Sequence, residues 1–367
     1  MKYLRVLIPA VFIPVAATAG GFETGAVKQS DGAAFYTNAY PAIARLASGK
    51  LLAVWSATPK GEKSFPIVGA LSADGGRTWS EPRTLIRTPG MADYDPNILI
   101  DGQRIFVYST TVPLGDPYIA WCKTLMTKSE DDGETWSEPI EIKLPFKYAG
   151  KKHNGIKLMD GTLAMAFAWD LWAEKGIPAH TEGEMNLASG VLLSKDGINW
   201  TPFGAIHMWE KKVTPFSTGG VCEPALVELQ NGELLMILRT GTPVHYESRS
   251  RDGGLTWDPP RPSSLVGHNT PTALWRLDQN PEEIIAIWNN SPINRYPLSV
   301  AISADGGRHW SKPRDVATSD GPQVSYPGIT QATDGTIVAV WQQQLREGGR
   351  DVRWARFTRE WVLGEMH

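Results

Sequence analysis

Six recurring positions in this chain carry groups suited to acid–base, nucleophilic and anion-binding chemistry. Each stands directly before a Pro or Gly at the head of an apolar run: Tyr40, Asp95, Asn154, Glu223, Thr270 and Tyr326. One residue earlier lie Ala39, Tyr94, His153, Cys222, Asn269 and Ser325. A purely structural repeat favours like residues at like positions, yet here the position alternates among carboxylates, phenols, an amide and a hydroxyl. Such variety suits a pocket with convergent polar groups. A solvated funnel mouth is polar as well, so the pattern alone leaves both readings open.

The elements that must position these residues are repeats. The stretch Ser72–Trp79 has the form Ser-x-Asp-x-Gly-x-Thr-Trp, and copies return at Ser129–Trp136, Ser194–Trp200, Ser250–Trp257 and Ser303–Trp310. The third copy is one residue short, and His309 replaces Thr in the fifth. Asp bonds nearby backbone N–H groups, Gly accepts positive φ and Trp covers the turn, so the motif reads as a hairpin fastener with no chemistry of its own. Spacings of roughly 50 to 65 residues indicate a propeller or solenoid. Before each turn comes an apolar strand, a tight turn and a second apolar strand: Pro41–Trp55, Pro96–Tyr108, Gly155–Trp169, Pro224–Arg239, Pro271–Trp288 and Pro327–Trp341. The last unit lacks the Ser/Asp turn but keeps a final strand, Asp351–Phe357. The expected fold is all-β, a six-bladed β-propeller, with part of Phe22–Tyr36 supplying a strand to the last blade. The residues entering the inner strands then wall a central cavity, and Trp169–Asn186 forms an excursion able to overhang it.

Charge and composition narrow the classes. A formal charge of −3 and a pI near 6.2 leave no basic footprint for nucleic acid. Met1–Ala19 places Lys2 and Arg5 before the apolar run Val6–Ala17 and ends Ala17-Thr18-Ala19. That pattern predicts a secretory leader cleaved near Ala19, with residues 20–367 as one propeller domain in a periplasm or outside the cell. The run is too short to span a membrane and contains Pro9 and Pro14. Cys122 and Cys222 are too few for a disulfide framework or a Cys metal site, and buried thiols are a simpler reading than a bridge.

The turn motif and the strand heads together resemble the sialidase (neuraminidase) superfamily, whose turns of this form are called Asp boxes. The resemblance covers nearly the whole chain after the leader. Glu223-Pro-Ala-Leu-Val-Glu-Leu-Gln-Asn-Gly232 is similar to the strand that carries the family's Glu, the partner of a catalytic Tyr. Arg239 ends the next strand as a family Arg does, and Arg295 stands before Ser303 at the family spacing. Ser325-Tyr326-Pro-Gly-Ile329 looks like the segment that carries the nucleophilic Tyr. The resemblance implies that Arg239 and Arg295 clamp a sugar carboxylate while Tyr326, activated by Glu223, attacks the anomeric carbon.

Two positions depart from the family. Its first Arg is replaced by Ala39, next to Tyr40, and its acid/base Asp has no counterpart in Thr58–Ser64, which offers Glu62. Glu62, Asp93 and Asp95 are the candidates for that acid, Asp95 also resembling an Asp-Pro support of the pocket. His153, Asn154, Tyr40 and Asn269 are expected on the cavity wall as substrate contacts. His153 with Asp170, His180 and Glu184 lacks compact ligand spacing, and no metal or cofactor is expected. The leading expectation is an exported, monomeric, exo-acting hydrolase that removes a terminal carboxylated sugar from a glycan. A lyase acting on uronic-acid glycans through Tyr326 or His153, and a non-catalytic glycan-binding propeller, are the alternatives.

Overall fold

A computed structural model describes residues 20–62, 64–114, 122–146, 149–150, 153–175, 186–208, 219–319 and 321–365. The expected leader Met1–Ala19, and His180 and Glu184 of the excursion, lie outside these residues.

Each apolar run is a strand, because its β-branched and small residues fit a pleated surface buried on both faces. Leu51–Thr58, Leu163–Asp170, Leu234–Arg239 and Ile284–Asn289 are buried along their whole lengths. They pair antiparallel with the strands before and after them, and the resulting meanders pack face to face. Ile285, Ile287, Val300, Ile337, Ala339 and Phe357 form part of one core layer, and Leu99, Phe106, Leu163, Met165 and Phe167 part of another. The fold is an all-β propeller. Its inner strands neighbour one another in a closed circuit: Thr37–Arg45, Met91–Asp101, Ile156–Lys157 with its partner Leu163–Asp170, Cys222–Glu228, Ala273–Arg276, Val324–Gln331, and back to the first.

Among the described residues, hydrogen bonding divides the strands into five sheets rather than six separate blades. The eight-stranded sheet fuses the first meander to the last through a single parallel pair, Thr37 with Arg350. Asn38 Nδ2 reinforces that joint by donating to the Arg350 carbonyl at 3.0 Å. Phe22–Lys28 lies antiparallel on Arg350–Phe357, as expected of the segment before the first inner strand. Gly25 is required there, since a Cβ would sit 2.7 Å from the Trp354 ring.

The Asp-box turns are fasteners in detail. Ser72 Oγ donates to Asp74 Oδ1 at 2.8 Å and accepts from Gly76 N at 2.8 Å, while Thr78 Oγ1 donates to Asp74 Oδ2 at 2.6 Å. Trp79 closes the turn by donating its indole N–H to the Gly76 carbonyl at 3.1 Å. In the short third copy Asn199 Nδ2 donates to Asp196 at 2.7 Å, and in the fifth His309 Nδ1 lies 2.6 Å from Asp305. Hydrogen bonds from Thr135 and Thr256 hold the carboxyls of Asp131 and Asp252 down to about 2, and against the upward push of burial those from His309 hold Asp305 at about 2 as well. No disulfide joins Cys122 and Cys222.

Candidate functional site

Strand heads near the cavity share a backbone device. Tyr40, Asp95, Glu223, Asn269 and Tyr326 have φ of 55°, 49°, 42°, 48° and 55°, in the left-handed region that side-chain-bearing residues rarely occupy. Four of these five sit where the inner strand slips register against its neighbour, between Ala39 and Ala42, Tyr94 and Asn97, Cys222 and Ala225, and Ser325 and Gly328. Such a bulge re-aims one side chain out of the pleat. The following Pro donates no N–H, so it suits the break in the ladder. Ahead of the strand Ala273–Arg276 the left-handed residue is Asn269, one before the position aligned by the prolines; Thr270 is buried.

The bulges surround a central cavity of about 540 Å³. Tyr40, Asp95, His153, Asn154, Glu223 and Tyr326 line one end, and Arg45, Lys157, Glu228, Arg276 and Asp278 line the other. Small apolar residues such as Ala42, Ala225 and Gly328 line the shaft between. At the far end Arg45 pairs with Asp278 at 2.6 Å and Lys157 with Asp101 at 2.7 Å.

Beside the first end runs a connected polar cluster. Arg239 Nη1 lies 2.6 Å from Glu223 Oε2, and its Nε and Nη2 donate to Asn269 Oδ1 at 3.0 and 2.8 Å. Arg295 Nη2 donates to the Asn269 carbonyl at 2.9 Å and Nη1 to Gln323 Oε1 at 3.3 Å. The Arg295 guanidinium also stands 5.6 Å from the centre of the Tyr326 ring, within cation–π range. Tyr40 meets Tyr326 edge to face at 4.7 Å, with Tyr94 at 6.4 Å on its other side. Glu223, Arg239, Asn269, Arg295, Tyr326 and Tyr40 are thus brought into one neighbourhood.

Burial opposes charge on the nearby imidazoles. It pushes His153 below the ordinary histidine value, against the opposing charge of Glu223. His268 is lowered by burial, and the positive charges of Arg295 and Arg239 act in the same direction against a backbone contact to Thr242.

Other expected contacts have different employment. Glu62 is exposed and absent from the cavity wall. Asp93 is sealed 1 % exposed behind the wall, where it accepts from Thr111 Oγ1 at 2.7 Å, Thr88 N at 2.8 Å and Thr88 Oγ1 at 3.0 Å. Burial raises its carboxyl despite those bonds, which tie it to Thr88 and Thr111. Asn154 does line the cavity, but its amide joins three inner strands: Oδ1 accepts from Ile98 N and Nδ2 donates to the Ile43 carbonyl, both at 2.9 Å. Arg239, expected to clamp a sugar carboxylate together with Arg295, has a side chain with no exposed surface and is engaged by Glu223 and Asn269. Asp170 accepts from Trp172 N at 3.0 Å and Asn186 N at 3.2 Å, holding the start of the excursion. Among the described residues no group of three His, Cys, Asp or Glu side chains could hold a metal ion.

The repeats gave no signal for Gln342. It lies on the second strand of its meander, accepts from Tyr40 N at 3.0 Å and donates to Ser325 Oγ at 3.1 Å, and so ties two strand heads together.

Comparison with known proteins agrees with this architecture. A sialidase of Bacteroides fragilis is 23 % identical over 311 residues, 75 % of this chain; the chain spans about half of that protein, 53 % of its length. An exo-alpha-sialidase of Arthroderma benhamiae is 21 % identical over 92 % of this chain and 86 % of its own. Among solved structures, the Hadza microbial sialidase Hz136 superposes with a TM-score of 0.74 at 18 % identity, over 92 % of this chain and 69 % of that one. A Dyadobacter fermentans protein of unknown function gives 0.73 at 18 % identity, over 92 % and 99 %. The family model of the BNR repeat-like domain matches residues 102–340, more than half of the chain. The chain therefore belongs to the BNR repeat-like domain family, as a β-propeller of the sialidase superfamily.

Proposed function

We propose that this protein is an exo-acting glycoside hydrolase on a six-bladed ring, the fused eight-stranded sheet counting as two blades, with Tyr326 as nucleophile. The observation that carries this is the placing of Tyr326: it lines the cavity from a left-handed bulge, braced by the Tyr40 edge and by the Arg295 guanidinium. A phenol is a weak nucleophile until its proton has somewhere to go. Glu223, on the same cavity wall, is the acceptor in this reading, and Arg239 keeps that carboxylate charged and oriented. Arg295, only half-buried and standing over the Tyr326 ring, is the guanidinium that meets the carboxylate of a terminal sugar, while Asp95 and Tyr40 contact the sugar from the cavity wall. Sialidase-named relatives support a glycan substrate.

Export of a monomer, after removal of a leader ending near Ala19, completes the proposal. No helix among the described residues is long and apolar enough to cross a membrane.

The test is sugar release from a panel of sialylated, uronic-acid-bearing and neutral glycosides, comparing the wild type with Tyr326→Phe. Turnover by the wild type that the variant loses is the expected result. Equal inactivity of both, with retained glycan affinity, would mean a binding propeller; an unsaturated product absorbing in the ultraviolet would mean elimination.

A further inference from the structure

We infer that His153 is the proton carrier of this site, giving a proton to the leaving oxygen as Tyr326 attacks from the opposite wall. The inference rests on the hydrolase reading and supplies the acid which that reading lacks.

Placement is the first argument. Counting around the closed circuit of inner strands from Val324–Gln331, the strand Ile156–Lys157 is third in either direction. His153, at its head, therefore stands across the axis from Tyr326, and both side chains line the same cavity. A retaining glycosidase needs nucleophile and proton donor on opposite sides of the scissile bond. The second argument is elimination among the acids. Glu62 is exposed away from the cavity, Asp93 is sealed behind Thr88 and Thr111, and Glu223 is committed to Arg239 at 2.6 Å. Asp95 lines the wall but lies only two strands from Tyr326. The third is chemistry: an imidazole loses and regains a proton near neutral pH without large rearrangement.

The step balances. Tyr326 Oη bonds to the anomeric carbon as its own proton passes to Glu223; the glycosidic C–O bond breaks, and the leaving oxygen takes the His153 proton. Water then gives a proton to neutral His153 while its oxygen replaces Tyr326 on the sugar, and Glu223 returns the proton to the phenol.

The groups facing His153 across the cavity are Asp95 on Met91–Asp101, Glu223 on Cys222–Glu228, Tyr40 on Thr37–Arg45 and Tyr326 on Val324–Gln331, with Lys157 farther along its own strand. Burial opposes its protonation and Glu223 favours it, with burial the larger influence. The alkaline limb of kcat/KM accordingly falls below the ordinary imidazole value of 6.5.

The experiment compares wild type, His153→Gln, His153→Asn, Asp95→Asn and Tyr326→Phe on aryl glycosides with good leaving groups and on natural glycans with poor ones. Both His153 variants should lose on the order of 100-fold or more on poor leaving groups, much less on activated ones, and should lose the alkaline limb. Thermal unfolding monitors folding of each variant. Uniform loss across leaving groups with the limb retained, or leaving-group dependence moving to Asp95→Asn, overturns the inference and leaves the hydrolase reading intact. Undiminished turnover by Tyr326→Phe, or no turnover by the wild type, overturns the hydrolase reading and this inference with it.

Discussion

Arg239 Nη1 and Glu223 Oε2 lie 2.6 Å apart with both side chains almost wholly buried. Removing one member strands the other charge at low dielectric, so Arg239→Ala should cost about 3–5 kcal/mol in urea unfolding. The paired change Glu223→Leu with Arg239→Met should recover most of that loss while abolishing glycoside turnover. If the single variant unfolds at the wild-type midpoint, the pair does not hold the site together.

The left-handed backbone at Asp95 inverts an ordinary preference. Within a strand Gly is normally worse than Ala, but at φ 49° the Cβ is the burden. Asp95→Gly should be more stable than Asp95→Ala by about 1 kcal/mol, read by calorimetry, since the left-handed conformation costs that much for a residue with a Cβ. Equal stabilities would place Asp95 in an ordinary strand conformation.

Asn154 tests the division between wall and ligand contact. Asn154→Ala deprives Ile98 N and the Ile43 carbonyl of their partner, which should cost about 1–3 kcal/mol for each group left unsatisfied. Its KM should match the wild type; a raised KM with unchanged stability would make the amide a substrate contact.

The Asp boxes predict an acid transition. The folded-state hydrogen bonds hold the carboxyls of Asp131, Asp252 and Asp305 down to about 2, below the ordinary carboxyl value of 3.8. The stability they lend is therefore complete above the ordinary value and is lost as pH falls through it towards about 2. Melting temperature should drop across that window, and replacing all three with Asn should flatten the drop. An unchanged slope in the triple variant would assign the acid sensitivity elsewhere.

Turns and strand heads were legible in the sequence because both are local chemistry. Ser, Asp, Gly and Trp at fixed offsets build each fastener from neighbours, and a residue before Pro, or before Gly155 in one unit, marks each inner strand. Tyr40, Asp95, Glu223 and Tyr326 therefore came out on the cavity wall as their register required. Contacts set by tertiary neighbours were not legible. Arg239 bonds Asn269 across 30 residues, Asn154 reaches Ile43 across 111, and Tyr40 rests on Gln342 across 302. Ahead of the fifth inner strand the prolines align Thr270, whereas the backbone inverts one residue earlier at Asn269, the residue expected there as a substrate contact.

The joint between the two chain ends has a consequence for biosynthesis. Thr24 bonds the Trp354 carbonyl across 330 residues, so its partner strand does not exist when it leaves the ribosome. At about 5–20 residues per second, the opening segment waits roughly 20 to 60 s before the circle can shut. During that interval its unpaired backbone is an adhesive edge, and a nascent-chain chaperone has its clearest task there.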